Sequence, residues 1–258
     1  NEAQAMVTAI GRTANARDPV DLAQLTSTWM HELSQRAKRR TGGIQTGLKA
    51  IDKATGGLEP GDLVVVAGRP AMGKTAFALC IADYITRKGG AALGFSMEMP
   101  KQQWLSRLVA NIGGVPMGRI KQPWELDDLD YNNISLALSD IDGRKFTVDE
   151  TPGLTIKRLS GIARRVHHKT PLSVIVVDYI QLMEGEGKNR DEFRSQMIDA
   201  VTRGLKALAK ELGCPIIALS QLNRKVEERD NKRPRMSDLR ESGSIEQDAD
   251  IVIGLYRD

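Results

Sequence analysis

Gly68-Arg69-Pro70-Ala71-Met72-Gly73-Lys74-Thr75 matches the pattern G-x-x-x-x-G-K-[S/T], and its flanks leave few folds open. Residues 62–67, just before it, are an apolar, β-branched run that predicts a buried strand. Residues 76–85, just after it, predict a helix that Gly89-Gly90 stops. A strand that turns through glycines into a helix N-terminus is an anion cradle. Consecutive backbone N–H groups and the positive end of the helix dipole converge on one place there. In that frame Lys74 is expected to reach the β- and γ-phosphates of a nucleoside triphosphate, and the Thr75 hydroxyl to ligate Mg²⁺. The nucleotide contacts are predicted to run from Gly68 through Ala76.

Alternation of predicted strands and helices continues to the end of the chain. Strands are expected at 91–96, 144–149, 173–177, 215–219 and 251–255, and helices at 101–112, 124–138, 155–168 and 191–212. A short helix between glycine turns is expected within 44–60. This pattern specifies an α/β fold with a mainly parallel sheet covered on both faces. Ahead of it, Asp18-Pro19 reads as an N-cap and first helical position, followed at helical spacing by Leu22, Leu25, Trp29, Leu33 and Ala37. Lys38-Arg39-Arg40 place positive charge in the last turn. Residues 1–40 are therefore read as a linker region with an amphipathic helix at about 19–40, and 41–258 as the nucleotide-binding domain.

Composition narrows the class. With 41% hydrophobic and 27% charged residues over 258 positions, the chain can bury a full core and is not a disordered polyelectrolyte. A formal charge of +4 permits nucleic-acid binding without requiring it. Cys80 and Cys214 lie in apolar runs without framework spacing and read as core thiols of a reducing compartment. No run approaches ~18 apolar residues, so a cytoplasmic protein with no membrane partner is expected. The sequence starts at Asn1, which reads as a fragment.

Several residues have the right type and place for chemistry. Asp178 ends the intensely apolar strand at 173–177, where an acid after a phosphate loop holds the metal shell. Glu98 follows the strand at 91–96 and is expected in the crevice outside the carboxyl ends of the strands, where a carboxylate can polarise water. Gln221 ends another strand, with an amide that can donate to a γ-phosphate oxygen. Residues 223–240 carry seven basic and four acidic side chains and are expected to be a mobile loop too polar for the core, suited to nucleic-acid backbone. His167-His168 lacks ligand spacing and reads as packing.

GRPAMGKT, FSMEMP, VIVVDYIQLM, LKALAKELGCPIIALSQLNR and SDLRESGSIEQDADIVI, in this order, resemble the ATPase domain of DnaB-type replicative DNA helicases, from about Thr41 to Asp258. The resemblance implies a RecA-like P-loop fold, ATP and Mg²⁺ as ligands, and a homohexameric ring moving 5′ to 3′ on single-stranded DNA. It implies catalytic roles for Lys74, Glu98 and Gln221, metal binding by Thr75 and Asp178, and DNA contacts from Arg224, Arg240, Glu241 and Gly243. The helix at 19–40 is similar to the family's linker helix, which docks on the neighbouring subunit; primase and a helicase loader are the further partners implied. The family also places a Lys-x-Arg finger on a strand beyond the one ending at Asp258, and an N-terminal collar domain, neither of which this sequence includes. A RecA-like recombinase or ATP-gated DNA-binding module shares the core. A small-metabolite kinase fits less well, because a kinase excludes the water that Glu98 is placed to activate.

Overall fold

The computed structural model describes residues 21–39, 42–183, 194–239 and 243–257. The chain divides into two units, residues 1–42 and residues 43–258. In the first, α1 (Leu22–Arg39) exposes its stripe, with Leu22 79% and Trp29 59% accessible.

The second unit opens with α2 (Lys49–Thr55), then β1 (Leu63–Gly68), α3 (Lys74–Arg87), β2 (Ala91–Ser96), α4 (Lys101–Gly113), α5 (Met117–Lys121) and α6 (Asp128–Ile141). It continues with β3 (Lys145–Asp149), α7 (Ile156–Lys169), β4 (Val174–Asp178), α8 (Arg194–Leu212), β5 (Ile216–Gln221), α9 (Gly243–Asp248) and β6 (Ile251–Leu255). The sheet order is β3-β2-β4-β5-β1-β6, and every strand pair in it is parallel.

Strand alternation divides the core into two. Leu63, Val65, Leu93, Phe95, Ile175 and Val177 face one side, against Leu159 and Ala163 of α7 and Ile198, Leu205 and Leu208 of α8. Val64, Val66, Val174, Val176 and Ile217 face the other, against Leu79, Ile81 and Ile85 of α3 and Trp104 of α4. Burial on both faces is why these strands read as unbroken apolar runs. At Gly94 an added Cβ would lie 2.2 Å from the Trp104 ring, so only glycine lets α4 come this close.

Some local expectations change. The helix read at 124–138 is a 3-10 turn, Pro123–Glu125, and then α6, because Asp127 caps a new start. The Asp127 carboxylate accepts from the Asp130 N–H at 2.8 Å, and Asp130 accepts from the Asp127 N–H at 3.2 Å. The α5 helix was not expected, because its five residues after Pro116 are too few to show a helical period. The mobile loop expected at 223–240 carries 3-10 turns at Arg224–Glu228 and Met236–Asp238, with Val226, Asp238 and Leu239 buried. Cys214 is in the core, but Cys80 is only half-buried.

Candidate active site

The phosphate loop leaves β1 at Gly68 and enters α3 at Lys74. Gly73 has φ +87°, a conformation L side chains rarely adopt, and this turns the following N–H groups inward. Lys74 donates from Nζ to the Gly68 carbonyl at 3.0 Å and the Arg69 carbonyl at 3.3 Å, so its ammonium lies across the loop it closes. Thr75 donates from Oγ1 to Asp178 Oδ2 at 2.8 Å, joining the start of α3 to the end of β4 over 103 residues of sequence.

Asp178 is 1% exposed. Burial holds its carboxyl above the usual carboxylate range and the neighbouring Glu98 charge raises it further, against the lowering effects of the Thr75 hydroxyl, Lys74 and Arg107. Burial likewise lowers Lys74 below an ordinary lysine, opposed by the charges of Asp178 and Glu98. Glu98 therefore sits within electrostatic reach of both, in the exposed turn after β2. β2, β4, β5 and β1 are consecutive in the sheet, so Glu98, Asp178, Gln221 and the loop share one rim. In the β1–β5 register Gly68 lies opposite Gln221. Two hard oxygen donors, Thr75 Oγ1 and Asp178 Oδ2, suit Mg²⁺, which takes few protein ligands and fills the rest of its octahedron with water and phosphate oxygens. Among the described residues no group of three or more His, Cys, Asp or Glu forms a self-contained metal centre.

Beyond Gln221, Leu222 bridges Leu239 antiparallel, and the Asn223 N–H donates to the Asp238 carbonyl at 2.8 Å. Arg229 donates to Asp238 at 2.7 Å, while Arg224, Lys225, Lys232, Arg233 and Arg235 are exposed or half-exposed. Of the expected DNA contacts, Arg224 begins the first 3-10 turn and Gly243 begins α9. Arg240 and Glu241 lie outside the described residues. His167 accepts the Leu172 N–H on Nδ1 at 3.2 Å, a packing contact.

The family model for the DnaB-like helicase C-terminal domain matches residues 43–258. This chain belongs to that family. It is 42% identical over 217 residues to the replicative DNA helicase DnaC of Bacillus subtilis, covering 84% of this chain and 47% of the relative. It is 41% identical to replicative DNA helicase DnaB of Pasteurella multocida, covering 100% of this chain and 57% of the relative. The chain thus spans about half the length of the relatives it matches. One solved structure, an isolated ATPase domain, superimposes with a TM-score of 0.86 at 34% identity, covering 93% of this chain and 84% of that one. A DnaB-like replicative helicase, described with its interactions with primase, gives 0.81 at 33% identity, over 100% of this chain and 61% of that one. The RecA-like architecture of the DnaB-like domain is established by these matches and the parallel sheet.

Two polar residues of this DnaB-like domain were not anticipated. Arg107 on α4 acts on Asp178, and its guanidinium donates to Met99 Sδ at 3.6 Å. Gln181, nearly buried after β4, donates from Nε2 to Ser220 Oγ at 2.9 Å and accepts the Gln221 N–H at 3.3 Å. It fixes the backbone that aims Gln221. A glutamine in the apolar Ile180-Gln181-Leu182 run was the one signal for it.

Proposed function

We propose that this chain is the ATP-hydrolysing motor of a replicative DNA helicase, acting as a cytoplasmic homohexameric ring that moves 5′ to 3′ on single-stranded DNA. The observation that carries the reading is the convergence of Lys74, Thr75, Asp178 and Glu98 on one rim of the sheet in a chain of this family.

The backbone N–H groups of the loop from Gly68 to Ala76, Pro70 excepted, and the Lys74 ammonium bind the phosphates, and the α3 N-terminus adds its dipole. Thr75 and Asp178 would hold Mg²⁺, which would supply positive charge to offset that of the triphosphate. Glu98 orients a water and takes its proton as the oxygen attacks the γ-phosphorus; ADP leaves in line. Gln221 donates to a γ-phosphate oxygen and reports its loss to the segment behind it. Arg224, Arg240, Glu241 and Gly243, which follow Gln221 in sequence, are the proposed DNA contacts, and contacts from Arg and backbone N–H to phosphates leave the motor indifferent to base sequence. The exposed stripe of α1 supports docking on a neighbouring subunit, and primase and a loader are the partners outside the ring.

ATP hydrolysis by the full-length protein, with and without single-stranded DNA, tests the reading beside Glu98→Ala. We expect DNA to stimulate hydrolysis, and the variant to lose roughly 10²–10⁴-fold while still binding nucleotide. An unstimulated parent, or a variant as active as the parent, would return the chain to a generic nucleotide-binding module.

A further inference from the structure

Arg69 lies in the phosphate loop, yet its guanidinium is bonded to the segment that follows β5. The residue before a proline is held extended, and here Pro70 follows. The guanidinium, only 10% exposed, donates from Nε to Glu227 Oε1 at 2.7 Å and from a terminal nitrogen to the Leu222 carbonyl at 2.8 Å. Leu222 directly follows Gln221, and Glu227 lies in the 3-10 turn begun by Arg224. The contact is continuous with the sheet, because the Leu222 N–H donates to the Gly68 carbonyl at 3.3 Å. That carbonyl also accepts from Lys74 Nζ. The base of the loop is thereby tied to the basic segment through backbone and side chain together. Leu222 in turn bridges Leu239, the residue before Arg240. A planar guanidinium can hold two acceptors in fixed directions, which a lysine ammonium does not do.

We propose that Arg69 is a positioning residue that couples the nucleotide site to the DNA-contacting segment, through its shared hydrogen bonds to the Leu222 carbonyl and the Glu227 carboxylate. The inference rests on the motor reading above. A phosphate loop that shifts on its ligand carries Leu222 and the Arg224–Glu228 turn with it, and a segment ordered on DNA holds the loop. Coupling of this kind is reciprocal.

Glu227 provides the test, since its side chain is 55% exposed and lies outside the phosphate loop. The measurement is the affinity for a fluorescent oligonucleotide with and without a non-hydrolysable ATP analogue, on the full-length protein. In the parent we expect the analogue to change DNA affinity by a factor in the range of about 5–150. Glu227→Ala should bind each ligand alone within about twofold of the parent, yet retain a small part of that factor. Glu227→Gln, which keeps an oxygen for Arg69 Nε, should retain more of it than Ala. Arg69→Lys should reproduce the loss by a second route, and stands in if the Ala variant melts early. Parental coupling in Glu227→Ala or Arg69→Lys would overturn the proposal. So would a Gln variant as uncoupled as Ala, which would make the effect one of charge on the basic segment. A parent that binds no DNA would defeat the motor reading itself, and that failure shows before any variant is made.

Discussion

In the middle of the sheet, Val64 to Val66 and Val174 to Val177 carry no polar side chain and are shut off from water. Asp178 closes one of these strands, Lys74 and Thr75 follow the other at the start of α3, and Glu98 follows β2. The two regions are continuous in backbone and opposite in material. Burial of apolar area stabilises the first region, at about 25 cal/mol per Å². The second is held in place by the first against its own solvation preference, which is why burial moves Asp178 up and Lys74 down. Stability and chemistry thus occupy neighbouring residues and should separate under mutation.

The largest stability effect expected from breaking this contrast is in the interior. Leu93→Ala, at a fully buried position in mid-β2, should lose about 2–5 kcal/mol and lower the melting temperature by on the order of 10 °C. Nucleotide affinity of the folded fraction should be unchanged; a parallel loss of affinity would mean that interior and rim are not separable. Asp178→Asn should do the reverse. Because folding raises this carboxyl, its protonated form is the one the fold favours. That contribution is complete below the unfolded-state pKa and is lost as pH rises through the folded one. The neutral amide, whose oxygen still accepts from Thr75, should therefore melt a few degrees higher than the parent at neutral pH, with the gap closing in acid, while Mg²⁺-dependent hydrolysis is lost. A lower melting temperature at pH 7 would show that Asp178 is not held at a cost. The smallest effect concerns the thiols. Burial pushes Cys214 up to about 12, and burial with the Asp83 charge raises half-buried Cys80. Iodoacetamide at neutral pH should label Cys80 slowly and Cys214 only on unfolding, which mass spectrometry of digested protein reads directly.

The strands were legible because double-sided burial writes itself as consecutive Val, Ile and Leu, as at 63–66 and 174–177. The turn from β1 into α3 was legible because its pattern is local, all within eight residues. Asp178 could be placed because a parallel sheet gathers the strand ends on one rim. What escaped depended on pairs distant in sequence. Arg69 meets Glu227 across 158 residues, and Gln181 meets Ser220 across 39. No periodicity encodes such partners. Composition also misled at 223–240, where many charges concealed Val226 and Leu239, each of which has a place in the core. The break before α6 was readable in principle, since Asp127 and Asp130 stand three apart as a capping box requires.

The sheet order has a consequence for the time at which the molecule becomes itself. β5 lies between β4 and β1, so the strand bearing Asp178 and the strand leading to Thr75 are brought into register by a third made after both. At ~5–20 residues per second, a ribosome that has just finished Lys74 needs roughly 7–30 s to reach Gln221. Throughout that interval β1 is an apolar strand without either of its eventual neighbours, the kind of segment that invites mispairing or a chaperone. Until β5 is made, the growing chain has the loop but not the aspartate held beside it, so the Thr75–Asp178 pair is assembled late.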